Sequence, residues 1–119
     1  MQIKVKRVYE PASPDDGKRV LVERLWPRGM RREQLQIDYW EKEVAPSSEL
    51  RKWFAHDPNK WDEFKLKYWE ELKGNPKIEE LKEWARRGTL TLLFSARDKE
   101  KNSAQALKEY LEMGSPPAT

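Results

Sequence analysis

Apolar positions along this chain follow two rhythms. QIKVKRV (2–8) alternates polar and apolar residues, with Ile3, Val5 and Val8 as the inward set, and predicts an edge or half-buried strand. RVLVERLW (19–26) carries a continuous run at Val20, Leu21 and Val22, the pattern of a strand covered on both faces. TLTLLFS (89–95) has the same character. Elsewhere the spacing is that of helices, first at Trp61, Phe64, Tyr68 and Leu72, then at Ile78, Leu81, Trp84 and Ala85. A last helix, from about Asn102 to Met113, would bury Ala104, Leu107, Tyr110 and Leu111.

The polar residues between these runs act as starts and stops. YEPASPDDGK (9–18), with two prolines, a glycine and two adjacent aspartates, reads as a loop. Pro27 and Gly29 end the second strand. Asp38 followed by Glu41 fits a capping box ahead of a helix in YWEKEV, and Ser47 can cap SELRKWFA. Asp57-Pro58 and Asn75-Pro76 each place a cap residue before a proline at the first helical position. Gly74 and Gly88 stand where helix C-terminal glycines belong. The order is strand, strand, four short helices, strand, helix. The long helical connection implies that the second strand and TLTLLFS are parallel, joined by a right-handed crossover. The expected fold is a small, three-layer-like α/β domain. Its sheet is short and mainly parallel, of about three strands, with the helical crossover and a C-terminal helix packed on it. Residues 1–113 form one domain and 114–119 a frayed tail.

Composition sharpens this picture. At 119 residues the chain can bury one core. A mean hydropathy of −1.05 would suit a disordered chain, but six tryptophans set in periodic segments do not. The absence of cysteine excludes disulfides, thiolate ligands and thiol nucleophiles. A single histidine, His56, argues against an all-protein catalytic zinc site, so neither metal nor cofactor is expected. Abundant Lys and Glu with scarce Asn and Gln predict a thermostable protein. No segment approaches the ~20 apolar residues that span a bilayer, and MQIKVKRVYE lacks a signal-like apolar stretch, so a cytoplasmic protein is expected. Net charge is a mild +3.

The densest chemistry is in ERLWPRGMRR (23–32), where Arg24, Arg28, Arg31 and Arg32 face only Glu23. Parallel strands bring their C-terminal ends to one edge, and open α/β sheets bind ligands there. TLTLLF ends in Ser95, Arg97 and Asp98, with Asn102 at the start of the last helix. The two loops would meet beside a helix N-terminus, whose free N–H groups and dipole favour an anion. Arginine's planar fork suits phosphate or carboxylate. The expected ligand-binding set is Arg24, Trp26, Arg28, Ser95, Arg97, Asp98 and Asn102, with Glu23 and His56 as proton-transfer candidates. Each residue also has a plainer use. Arg24 could pair with Glu23 or Asp98, Arg31 and Arg32 could be solvated, and Asp98 and Asn102 could cap. Ser95 could satisfy a backbone group, and His56 could pack beside Asp57, already committed as a cap. The expected partner is a phosphate-bearing small molecule or nucleotide. The alternative is a non-catalytic module that binds nucleic acid through residues 18–32 and Trp26, or another protein. No Walker loop, GxGxxG, GxSxG or metal-ligand spacing occurs. The residues identify neither a reaction nor an oligomeric state.

Four segments, RVLVERLWPRG, APSSELRKWFAHDP, KWDEF with Tyr68 and Glu71-Leu72, and TLLFSARDKEKNSA, carry a resemblance. The chain is similar to the family called domain of unknown function 488, in its YeaO-like branch, and the segments cover most of it in order. The resemblance implies that Glu23 stands where relatives usually have Asp, which keeps the carboxylate. Cysteines that other branches carry in the equivalent of SARDKEKN are absent, so no thiol-based role carries over. The family has no assigned activity, so the resemblance implies no catalytic roles.

Overall fold

In the computed structural model, which describes residues 2–113, all strand pairs are parallel. The strands are β1 (Gln2–Arg7), β2 (Lys18–Leu21), β3 (Tyr39–Trp40) and β4 (Thr89–Phe94), in the order β1-β4-β2-β3. The helices are α1 (Arg32–Leu35), α2 (Ser48–Phe54), α3 (Trp61–Leu72), α4 (Lys77–Arg87) and α5 (Ser103–Met113). β4 lies between β1 and β2, with Leu92 level with both Val5 and Val20. The α/β class, the parallel relation of β2 to β4, the helical crossover and the C-terminal helix are as the sequence predicts. No helix among the described residues is long and apolar enough to cross a membrane. The tail expected at 114–119 lies outside the described residues.

The two faces of the sheet differ in chemistry. Ile3, Val20, Val22, Leu90, Leu92 and Phe94 enter one large core shared with residues of α2 to α5. Val8, Leu21 and Leu93 enter a smaller cluster with Leu35 of α1, flanked by half-buried Trp26, Met30, Ile37 and Trp40. Strand side chains alternate between faces, so Ile3 and Val8, both expected inside, are buried in separate clusters. The rest of the second face is polar. Lys4, Lys6 and Arg19 all reach Asp16, which the connection between β1 and β2 inserts over the sheet. The fully buried Asp16 carboxylate lies 3.1 Å from Lys4 Nζ, 3.0 Å from Lys6 Nζ and 2.5 Å from Arg19 Nη1. It also accepts the Ser13 backbone N–H at 3.0 Å, while the Thr91 hydroxyl donates to the Asp16 carbonyl at 2.6 Å. Burial alone would raise the carboxyl's pKa. The Ser13 N–H and the Lys6, Lys4 and Arg19 donors outweigh it and hold Asp16 well below the usual carboxylate range.

The caps expected at Ser47, Asn75 and Asp57 are present. Ser47 Oγ accepts Leu50 N–H at 3.1 Å, and Asn75 Oδ1 accepts Lys77 N–H at 2.9 Å. Asp57 Oδ1 accepts Asn59 N–H at 2.9 Å and opens a short 3-10 turn that runs into α3. Gly88 ends α4 in an extended conformation, with φ 173°, rather than the left-handed one expected of a C-terminal glycine.

Three expectations need larger correction. The second strand stops at Leu21 instead of running to Trp26. Val22 N–H still reaches Leu93 O at 3.3 Å, but the Glu23 carbonyl is taken by the Trp40 indole N–H at 2.6 Å. The sheet has four strands rather than about three, because Tyr39–Trp40 is a strand where a helix was expected. Asp38 does not cap: its carboxylate accepts Arg19 N–H at 2.8 Å, and its own N–H donates to Arg19 O at 2.8 Å. Glu41 N–H likewise donates to Leu21 O. The Glu41 side chain is buried, and burial together with the charge of Glu80 raises its pKa. Lastly, a short helix that the sequence reading does not predict, α1, begins at Arg32, the last residue of the basic segment, while Arg31 and Arg32 are exposed as expected.

Tyr68 ties α3 to the segment before α2. Its ring is buried, and its hydroxyl donates to the Val44 carbonyl. Burial and the nearby Glu71 carboxylate push the phenol's pKa far up, so the hydroxyl stays a donor. Tyr68→Phe keeps the packing but leaves the Val44 carbonyl without that donor. Chemical denaturation should show a loss of about 1–3 kcal/mol.

Candidate functional site

Because β2 and β4 are parallel, the segments that follow them leave the same edge of the sheet. A cleft of about 530 Å³ opens there. It is framed by residues 23–28, the turn before α2, α2 itself, the segment after β4 and the start of α5. Phe54 and Phe64 contribute to its lining, their rings stacked with centroids 4.3 Å apart.

Each wall is held by hydrogen bonds to its neighbours. Arg7, at the end of β1, donates from Nε to Ala96 O at 2.8 Å and from Nη2 to Ser95 O at 3.3 Å, fixing the exit of β4. Asn102 donates to Asp98 O at 3.0 Å and accepts Gln105 N–H at 2.8 Å, so it closes the loop and caps α5 together. Asp98 accepts the backbone N–H groups of Glu100 and Lys101 at 2.9 and 3.0 Å. The N–H groups of Lys101 and Glu100 hold its carboxyl below the usual range. Across the cleft, Ser47 N–H and Oγ both donate to Glu71 of α3, at 2.9 and 2.6 Å, which sets the start of α2. Lys60 Nζ donates to Trp53 O at 2.8 Å and steadies its end.

The cleft is electropositive. Its charged lining consists of Arg24, Arg28, Arg51 and Lys52, with Glu23 as the carboxylate. Among the described residues, none of these four cations has a carboxylate within the 4.0 Å of an ion pair. Arg24 therefore does not pair with Glu23 or Asp98. It makes one long contact, Nη2 to Ala45 O at 3.5 Å. Arg51 Nη2 donates to Ser48 Oγ at 3.2 Å. Ser95 does not serve a backbone group with its hydroxyl, which donates to Glu23 Oε1 at 2.7 Å.

Of the residues singled out in the sequence, Glu23, Arg24, Trp26, Arg28, His56, Ser95 and Asn102 line this one cleft. Arg97 and Asp98 lie on the same sheet edge, in the exposed loop beyond Ser95, and do not line it. Trp26 is largely committed to the fold. Its indole N–H donates to Met30 O at 2.6 Å, its ring meets Trp40 edge-on at 5.3 Å, and Arg32 lies over its face. His56 is exposed and follows Ala55 in the left-handed region, with φ values of +57° and +47°. This backbone turns the chain out of α2 and brings the imidazole to the cleft wall, 6.2 Å from the Phe54 ring. Arg51 and Lys52 are lining residues that the sequence reading missed. The signal available was their place on the polar side of SELRKWF, opposite Leu50 and Phe54.

No solved structure matches the chain. The uncharacterised protein YeaO of Escherichia coli K12 is 42% identical over 112 residues, covering 93% of this chain and 97% of the relative. An uncharacterised protein of Mycobacterium tuberculosis H37Rv is 41% identical over 110 residues, covering 92% and 93%, and one from Mycobacterium bovis matches equally. The family model described as "Inactive DUF488-N3 subclade" matches residues 2–115, so the whole cleft lies inside the match. The chain belongs to the DUF488 family, in the group described as the inactive DUF488-N3 subclade.

Proposed function

We propose that this protein binds a phosphate-bearing small molecule or nucleotide in the cleft at the C-terminal edge of its sheet, and does so without turning it over. The observation that carries this reading is the convergence of Arg24, Arg28, Arg51 and Lys52 on one cleft, with no carboxylate among the described residues paired to any of them. Unpaired cations crowded together repel each other, and an anion among them relieves that repulsion. The cations come from two separate elements, the exit of β2 and the exposed side of α2, so a ligand between them would be gripped from both sides. The start of α5 adds its dipole from a third direction. Binding without turnover agrees with the word "inactive" in the family's description. It also agrees with a Ser95 hydroxyl that donates to a carboxylate and has no histidine as its partner.

The test is a thermal-shift and calorimetric panel of inorganic phosphate, sugar phosphates, nucleotides and short single-stranded oligonucleotides. A ligand present at 100 times its Kd should stabilise the protein by about 2.7 kcal/mol. Arg51→Gln should weaken binding by about 10-fold or more, the usual worth of one charge-assisted hydrogen bond, and leave the unliganded melting temperature nearly unchanged. A panel without any stabilising phosphate compound would refute the reading. Stabilisation by oligonucleotides alone would replace it with nucleic-acid binding.

A further inference from the structure

Glu23 is an odd residue to find in an anion site. Its carboxylate lines a cleft whose other charged residues are Arg24, Arg28, Arg51 and Lys52, yet it forms no ion pair with any of them. It is nevertheless firmly placed. The Ser95 hydroxyl donates to Oε1 at 2.7 Å, and the Trp40 indole N–H holds the Glu23 backbone carbonyl at 2.6 Å. Arg7 in turn grips the Ser95 carbonyl. Glu23 Oε2 has no protein donor among the described residues. A carboxylate held this way repels a bare anion, because an ionised carboxylate only accepts hydrogen bonds. It attracts a ligand that brings a hydroxyl hydrogen, through a charge-assisted hydrogen bond. A cleft of about 530 Å³ leaves room for such a group beside the phosphate.

Building on the phosphate-binding reading above, we propose that the ligand is a phosphate monoester of a sugar or other polyol. The phosphate sits among the arginines, and a hydroxyl of the same molecule donates to Glu23 Oε2. Glu23 is then the residue that sets specificity. It selects hydroxyl-bearing phosphate esters over inorganic phosphate and over esters of plain alcohols, while Ser95 keeps its carboxylate aimed.

Titration calorimetry with ribose 5-phosphate and methyl phosphate tests this, because methyl phosphate carries the monoester anion without a hydroxyl. The wild type should bind ribose 5-phosphate about 10-fold or more tightly than methyl phosphate, the worth of one hydrogen bond to a charged acceptor. In Glu23→Ala that preference should fall to near unity, and methyl phosphate should bind at least as well as before, since a repelling charge is gone. Glu23→Gln keeps the shape, but its amide oxygen stays with the Ser95 hydroxyl and an N–H2 replaces Oε2, so the preference should fall there too, and this variant serves as the test if the alanine variant fails to fold. Equal binding of the two esters by the wild type, or a preference that survives intact in Glu23→Ala, overturns the assignment to Glu23. If methyl phosphate still binds in those cases, only the sugar-phosphate inference falls. If neither ester nor any other phosphate compound binds the wild type, the phosphate-binding reading falls with it.

Discussion

Asp16→Asn should cost this protein about 3–5 kcal/mol, the usual consequence of removing one partner from a buried ion cluster. The substitution keeps the shape of the side chain but removes the carboxylate that Lys4, Lys6 and Arg19 share, the only one among the described residues paired to all three. Arg19 is itself buried and cannot turn to water, because Nε and Nη2 are bound to Gln36 O and Leu35 O. Denaturant titration at neutral pH should show the loss, and the melting temperature should fall by on the order of 10 °C or more. The pH dependence supplies a second readout. The folded pKa of Asp16 lies below its ordinary value of 3.8, so its stabilisation is complete well above that value. It is lost as pH falls through 3.8 and below, toward the lowered folded value. The gap between wild type and Asp16→Asn should therefore be widest at neutral pH and close progressively in acid. A gap that does not change with pH would mean that the substitution acts through shape and not through charge.

Gly17→Ala should be nearly as damaging, for a reason unrelated to charge. Gly17 has φ +62° and ψ −130°, a combination that side-chain-bearing residues avoid. A Cβ placed there would lie 2.3 Å from the Thr89 carbonyl oxygen, a backbone atom of β4 that cannot swing aside. Backbone strain of about 1–3 kcal/mol and a comparable overpacking cost should act together. Gly29→Ala is the natural control. Gly29 also has a positive φ, +79°, but a Cβ there would meet nothing within 4 Å. Its cost should stay near about 1 kcal/mol, the conformational part alone. Equal losses for the two variants would show that the close approach of residue 17 to β4 does not matter.

The two sites also show where sequence reasoning reaches its limit. Strand identity in TLTLLFS and helix starts at Ser47, Asp57, Asn75 and Asn102 were legible because each depends on neighbours within a few residues. YWEKEV was misread because Asp38 and Glu41 offer the same local pattern to a helix start as to a strand. The choice was made by Arg19 and Leu21, distant in sequence, whose free backbone groups draw residues 38–41 into the sheet. The same limit hid Asp16. YEPASPDDGK reads as a loop whichever aspartate is buried, and only the passage of that loop over the sheet brings Asp16 onto Lys4, Lys6 and Arg19. At the cleft, Arg24, Arg28, Ser95 and Asn102 followed from a single topological rule about where parallel strands end. Arg51 and Lys52 did not, since helical periodicity tells which side of α2 is polar but not that this side faces a cleft.

The order of the strands has a consequence for how the protein behaves in company. A sheet edge is a template on which another chain can lay a strand, and β-proteins commonly guard such edges with brevity or charge. Here both guards are present, one at each side. β3 is only two residues long, too short to anchor an incoming strand. β1 is six residues long and is the strand that carries Lys4 and Lys6, so a neighbour pairing with it would have to settle beside two ammonium groups. The lysines that pair with Asp16 inside the molecule are thus also the charged residues of the longer sheet edge.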